Sequence, residues 1–83
     1  RRERADRVRS TDLLDKYSSV ARQILETLLD KYAESSENDI TDKKILTLPD
    51  FRMFGSLPRI MNAFGGKEQY EAAVRELQNA IYA

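Results

Sequence analysis

Eighty-three residues, 41% hydrophobic and 34% charged, fit one small domain; a chain this short buries only roughly 60% of its unfolded surface, so it holds one modest core and no large enclosed cavity. Cysteine and histidine are both absent, which removes disulfides, the Cys and His ligands zinc needs, and the commonest general base and activator of a nucleophile. Formal charge is zero but split: residues 1–9 carry five arginines against Glu3 and Asp6, and the rest carry nine Lys/Arg against twelve Asp/Glu, a mildly acidic body of the wrong sign for gripping phosphates.

No apolar run approaches the roughly 18 residues that span a bilayer. The chain opens Arg1-Arg2-Glu3-Arg4 with neither methionine nor signal segment, so it is expected to be a piece of a longer protein; the missing cysteines fit a reducing, cytoplasmic compartment, and no membrane partner is expected. Residues 1–11 read as a charged linker or the end of a preceding helix, and residues 12–83 as a helical domain.

From Leu13 to Tyr32 the apolar residues Leu13, Leu14, Tyr17, Val20, Ala21, Ile24, Leu25, Leu28, Leu29 and Tyr32 follow the i, i+3, i+4, i+7 stripe of an amphipathic helix. Ser10-Thr11-Asp12 offers N-caps, and Asp12 precedes Lys16 by four residues, a helical pair. The spacing predicts one helix of about 24 residues, roughly 36 Å long. The pentapeptide LLDKY stands at 13–17 and again at 28–32. Fifteen residues is close to four helical turns, so both copies are expected on one face of that helix; a solenoid would need several helix pairs.

Glu34–Asp39 breaks the periodicity as a polar loop. It lacks the central glycine and alternating ligands of a calcium loop. Within Ile40–Pro49, a helical turn capped by Thr41 or Asp42 competes with an extended stretch, since Leu48 precedes proline. Phe51, Met53 and Phe54 then cluster before Gly55, either as a loop dropping side chains onto the core or as a partner-binding patch. Ser56 and Pro58 open a short helix that turns Leu57, Ile60, Met61 and Phe64 inward, and Gly65-Gly66 ends it, with positive φ expected at Gly65. Lys67 or Glu68 begins the last helix, with Tyr70, Ala73, Val74, Leu77, Ala80 and Ile81 on one face and Glu71 and Arg75 as an outer pair. The fold class is all-α: one long N-terminal helix packed against two C-terminal helices, plus the optional turn. Leu25, Leu28, Ile60, Phe64, Val74 and Leu77 are the expected inaccessible core.

Three motifs fail as chemistry. Gly65-Gly66-Lys67 ends like a phosphate loop, but Met61 stands where that loop needs glycine and Glu68 where it needs Ser or Thr. Pro49-Asp50 lacks the Asp/Glu-x-Lys strand of a metal-dependent nuclease. A helix-turn-helix around Gly65-Gly66 would push Glu68, Gln69, Glu71 and Glu76 at DNA beside a single Arg75. Catalytic, cofactor-binding and metal residues are therefore expected to be absent. The acids Glu26, Asp30 and Glu34 stack at i, i+4, i+8, a solvated face or a docking column for a basic surface, with Phe51 and Phe54 as candidate apolar anchors.

Arg22-Gln23-Ile24-Leu25-Glu26-Thr27-Leu28-Leu29-Asp30-Lys31-Tyr32 is followed in order by three further segments. These are Leu46-Thr47-Leu48-Pro49-Asp50-Phe51, then Phe54-Gly55 with Ala63-Phe64-Gly65-Gly66-Lys67-Glu68-Gln69-Tyr70, then Ala73-Val74-Arg75-Glu76-Leu77-Gln78 through Tyr82. Over roughly residues 13–82 this resembles the C-terminal domain of the R subunit of type I restriction endonucleases. Phe64-Gly65-Gly66-Lys67 with the helix after it is the most specific part, and Asp50 departs from a second proline expected in the family. The resemblance implies a parent that uses ATP and Mg, carries nuclease and translocase domains upstream, and reaches DNA through a complex with methyltransferase and specificity subunits. It implies for this segment a non-enzymatic role, docking the motor subunit onto the methyltransferase core. The alternative is an auxiliary DNA-contacting helical domain of the same or a related helicase-type protein.

Overall fold

The computed structural model describes residues 2–34 and 51–82, and every regular element among them is helical. In chain order these are α1 (Arg2–Arg9), a 3-10 turn (Leu14–Lys16), α2 (Ser19–Glu34), α3 (Phe51–Phe54), α4 (Leu57–Asn62) and α5 (Lys67–Tyr82). The expected polar loop and the alternatives for Ile40–Pro49, with the Pro49-Asp50 motif, lie outside the described residues, as does the side chain of Phe51.

The single long helix expected from residue 13 is not formed. Tyr17 is extended (φ −105°, ψ 158°) and separates the 3-10 turn from α2. The reason lies in Ser18. Its hydroxyl oxygen accepts the Ala21 N–H at 3.3 Å and its carbonyl accepts the Arg22 N–H at 2.8 Å, so Ser18 is an N-cap. Ser18, Ser19 and Val20 are also weak helix formers in sequence. The two LLDKY copies consequently adopt different structures, the first a 3-10 turn and the second the C-terminal part of α2. Val20, expected on the buried stripe, is instead 54% exposed, one residue into α2.

Ser10-Thr11-Asp12 also behaves differently from the N-cap reading. The Ser10 hydroxyl donates to the Arg7 carbonyl at 2.7 Å and Thr11 Oγ1 to the Val8 carbonyl at 2.6 Å. These are carbonyls of the last turn of α1, and that of Val8 also accepts the Thr11 N–H at 3.1 Å. Thr11 Oγ1 accepts the Leu13 N–H in turn, turning the chain so that Leu13 and Leu14 enter the core.

Residues 2–9, within the stretch read as a linker or the end of a preceding helix, pack on both α2 and α5. Ala5 and Val8 lie three residues apart, on one face, and both are fully buried. Small side chains there let the helices approach closely, while the arginines keep their heads at the surface. The Arg7 guanidinium donates to the Ile81 carbonyl at 3.2 Å, satisfying an orphan acceptor at the C-terminus of α5.

The stripe of α2 is Ala21, Ile24, Leu25, Leu28, Leu29 and Tyr32, and that of α5 is Tyr70, Ala73, Val74, Leu77 and Ile81. Together with Ala5, Val8, Leu13, Leu14 and Ile60 all but Ala21 form one core. Of the six expected core residues, Leu25, Leu28, Ile60, Val74 and Leu77 are buried; Phe64 is not, and is only half-buried. It sits past the end of α4 at the rim, where its ring meets Tyr17 edge-on (5.9 Å) and Tyr70 edge-on (5.4 Å). Ser56 occupies the N-cap position of α4 without a side-chain bond, and Pro58 lies in the first turn. Gly65 has φ +104° and Gly66 +135°, so the chain reverses there and the Gly66 carbonyl starts α5 by accepting the Tyr70 N–H at 2.9 Å.

Candidate functional site

α2 carries Glu26, Asp30 and Glu34 along its outer side, with Asp30 and Glu34 exposed and Glu26 half-buried. Two of the three already answer arginines of the same chain. Arg22 Nε lies 3.4 Å from Glu26 Oε1, and Arg9, which also holds Asp6 at 3.2 Å, pairs with Asp30. Asp30, Ala33 and Glu34 of α2 and Arg2, Asp6 and Arg9 of α1 line one charged cleft. The column is thus partly neutralised from within, by α1 above all. Arg9 and Arg22 are the residues the sequence reading missed here; the +3 charge of residues 1–9 hinted at the first, and the i, i+4 spacing to Glu26 at the second.

A second node ties the turn before α2 to α5. Lys16 Nζ reaches Glu76 Oε1 at 2.6 Å, and the Tyr17 hydroxyl donates to Glu76 Oε2 at 3.0 Å. Both carboxylate oxygens are used. The Lys16 hydrogen bond holds the Glu76 carboxyl below its ordinary value, and the same contact holds the Lys16 ammonium above its own. Burial, and then the bond to Glu76, pushes the Tyr17 phenol up. Tyr70 is raised by burial alone, and its hydroxyl lies buried with no hydrogen-bond partner among the described residues. Lys16 was expected to pair with Asp12, which contributes only the weakest of its influences. Glu71 and Arg75 form no ion pair among the described residues; they flank a shallow groove with Tyr70, Val74 and Gln78.

Of the two candidate apolar anchors, Phe54 alone has a described side chain. α3 turns Phe54 toward the core, against which it packs half-buried, and leaves Arg52 and Met53 outside. Met53 is 68% exposed. Gly55 follows with φ +88°, and the Arg59 side chain lies over it, so close that a Cβ there would stand 2.9 Å from Arg59 Cδ. No described helix is long and apolar enough to cross a membrane.

The family described as EcoEI R protein C-terminal matches residues 1–82. The chain is also 41% identical, over 83 residues, to the type I restriction enzyme EcoAI endonuclease subunit of Escherichia coli. That match takes in 99% of this chain and 10% of the relative, so the chain spans about a tenth of that protein's length. No solved structure matches.

Proposed function

Because the chain belongs to the EcoEI R protein C-terminal family, the C-terminal domain of a type I restriction enzyme R subunit, we propose that it is an assembly module. In this reading it docks an ATP- and Mg-dependent translocase and endonuclease subunit onto the methyltransferase and specificity core. The domain has no catalytic role of its own. The observation that carries this reading is how the titratable side chains are used. Shifted groups mark functional sites where they gather in a cleft; here Lys16, Tyr17 and Glu76 join one segment to another, and Tyr70 packs in the core.

The proposed docking face includes Glu26, Asp30 and Glu34, with Phe51 and the half-buried Phe54 as its apolar anchors. A basic partner surface would complete the column at Glu34 and compete with Arg9 for Asp30. The test is deletion of residues 1–83 from the full-length subunit, followed by measurement of complex assembly and DNA cleavage. Assembly and cleavage should both fall while ATP hydrolysis by the upstream part remains measurable. A truncated subunit that assembles and cleaves like the intact one would sink the reading. The runner-up, an auxiliary DNA contact, predicts instead that the deletion lowers salt-sensitive duplex binding with assembly unchanged; the net negative charge of residues 10–83 favours it less.

A further inference from the structure

Residues 51–67 contain no aspartate or glutamate, although they belong to a chain with fourteen. Arg52, Arg59 and Lys67 give this stretch a charge of +3, and all three are exposed. At its start, the corner between α3 and α4 presents Met53 outward as the most exposed large apolar side chain among the described residues. Beside it, Gly55 adopts a left-handed φ of +88° and has no Cβ, which is what lets the Arg59 stem lie flat across the turn. An arginine whose stem is already packed loses less freedom when its guanidinium engages a carboxylate.

We infer that this α3–α4 corner is a second docking surface, fitted to a protein partner that surrounds an apolar pocket with acidic side chains. Three points favour that occupant. Charge complementarity calls for a partner of negative sign. Methionine and arginine are enriched in protein–protein interfaces, where aspartate and glutamate are depleted, and that is the composition of this corner. A nucleic acid backbone would match the arginines but gain nothing from Met53, whose apolar side chain has no place on phosphates. The corner lies on elements other than the acidic column of α2. With the acidic column on α2, the proposal gives the domain two contact surfaces of opposite sign, a pairing that fixes orientation as well as contact.

The inference rests on the assembly reading above, and the experiment separates the two. In the full-length subunit, Met53→Asp and Arg59→Glu are compared with wild type and with the domain deletion, reading the dissociation constant for the methyltransferase complex at two salt concentrations. Each variant should weaken association by about tenfold or more, as a well-placed interface side chain does, and Arg59→Glu should flatten the salt dependence. Arg59→Lys should recover only part of the loss, because a lysine lacks the planar fork. Melting temperatures are taken alongside; Met53→Ser and Arg59→Gln serve where the charged variants lower them. If the deletion disrupts assembly but the corner variants bind within about twofold of wild type, the inference fails and the assembly reading stands. If the deletion leaves assembly intact, both fail. If Arg59→Glu weakens duplex binding while assembly is untouched, the corner's partner is nucleic acid and the inference is overturned.

Discussion

Phe64 illustrates how one side chain can be read correctly in kind and wrongly in depth. Its position after Ile60 and Met61 on a helical face implies an inward ring, and it does point inward, but α4 ends at Asn62 and carries it to the rim. Its contribution therefore comes from two edge-on contacts with Tyr17 and Tyr70 as much as from burial. Phe64→Ala should cost about 2 kcal/mol, below the roughly 3–5 typical of a fully buried phenylalanine, as measured by urea unfolding. Glu76 makes a pH-dependent contribution. Its folded carboxyl titrates below the ordinary value of 4.5, so the stability it adds is present above that value and is lost as pH falls through the depressed folded one. Glu76→Gln should thus be less stable than wild type near neutral pH, with the gap closing as pH falls below 4.5. A gap independent of pH would remove the carboxylate from the account. Lys16 is exposed, so the ammonium adds direction and register here more than energy.

At the scale of elements, Ser18 divides what the hydrophobic pattern joins. Ser18→Ala removes the N-cap of α2 together with the 3.5 Å hydroxyl contact to the Ala63 carbonyl. It should cost about 1 kcal/mol in a denaturant titration; no change would mean that α2 starts without help. The C-terminal half was legible in the sequence because its punctuation is strong: Pro58 early in α4, Gly65-Gly66 after it, and an unbroken stripe from Tyr70 to Ile81. The N-terminal half was less so, for two physical reasons. A 3-10 turn keeps Leu13 and Leu14 inward, so the 3.6-residue period runs through the break without a visible fault. And α1 has only Ala5 and Val8 to declare its buried face, amid arginines that read as solvated charge. The candidate site was legible as a column of acids on one face of α2, since i, i+4 spacing fixes that. Its neutralisation by Arg9 was not, because that contact joins residues 21 apart in sequence.

For the molecule as a whole, a radius of gyration of 12.0 Å matches the value of about 12 Å expected of a close-packed chain of this length. Its surface ion pairs knit α1 to α2 and the turn to α5. The triple reversal Glu26→Lys, Asp30→Lys, Glu34→Lys should therefore weaken docking and also lower the melting temperature by a few degrees. It sets lysines against Arg22 and Arg9, and exposed pairs are each worth up to about 1 kcal/mol. An unchanged melting point would mean that these pairs add nothing measurable. The contact between Arg7 and the Ile81 carbonyl spans 74 residues, and this has a kinetic consequence. Helical domains usually fold quickly because their contacts are local, and α1 does meet α2 locally, yet its seat is complete only once α5 exists to close it. Closing a loop of that length costs about 4 kcal/mol of chain entropy, which no helix propensity along the way repays. We therefore expect α1 to join late, after the barrier has been crossed. In a chevron measurement Val8→Ala should speed unfolding and leave the refolding rate nearly unchanged. A slowed refolding limb would instead place α1 within the nucleus.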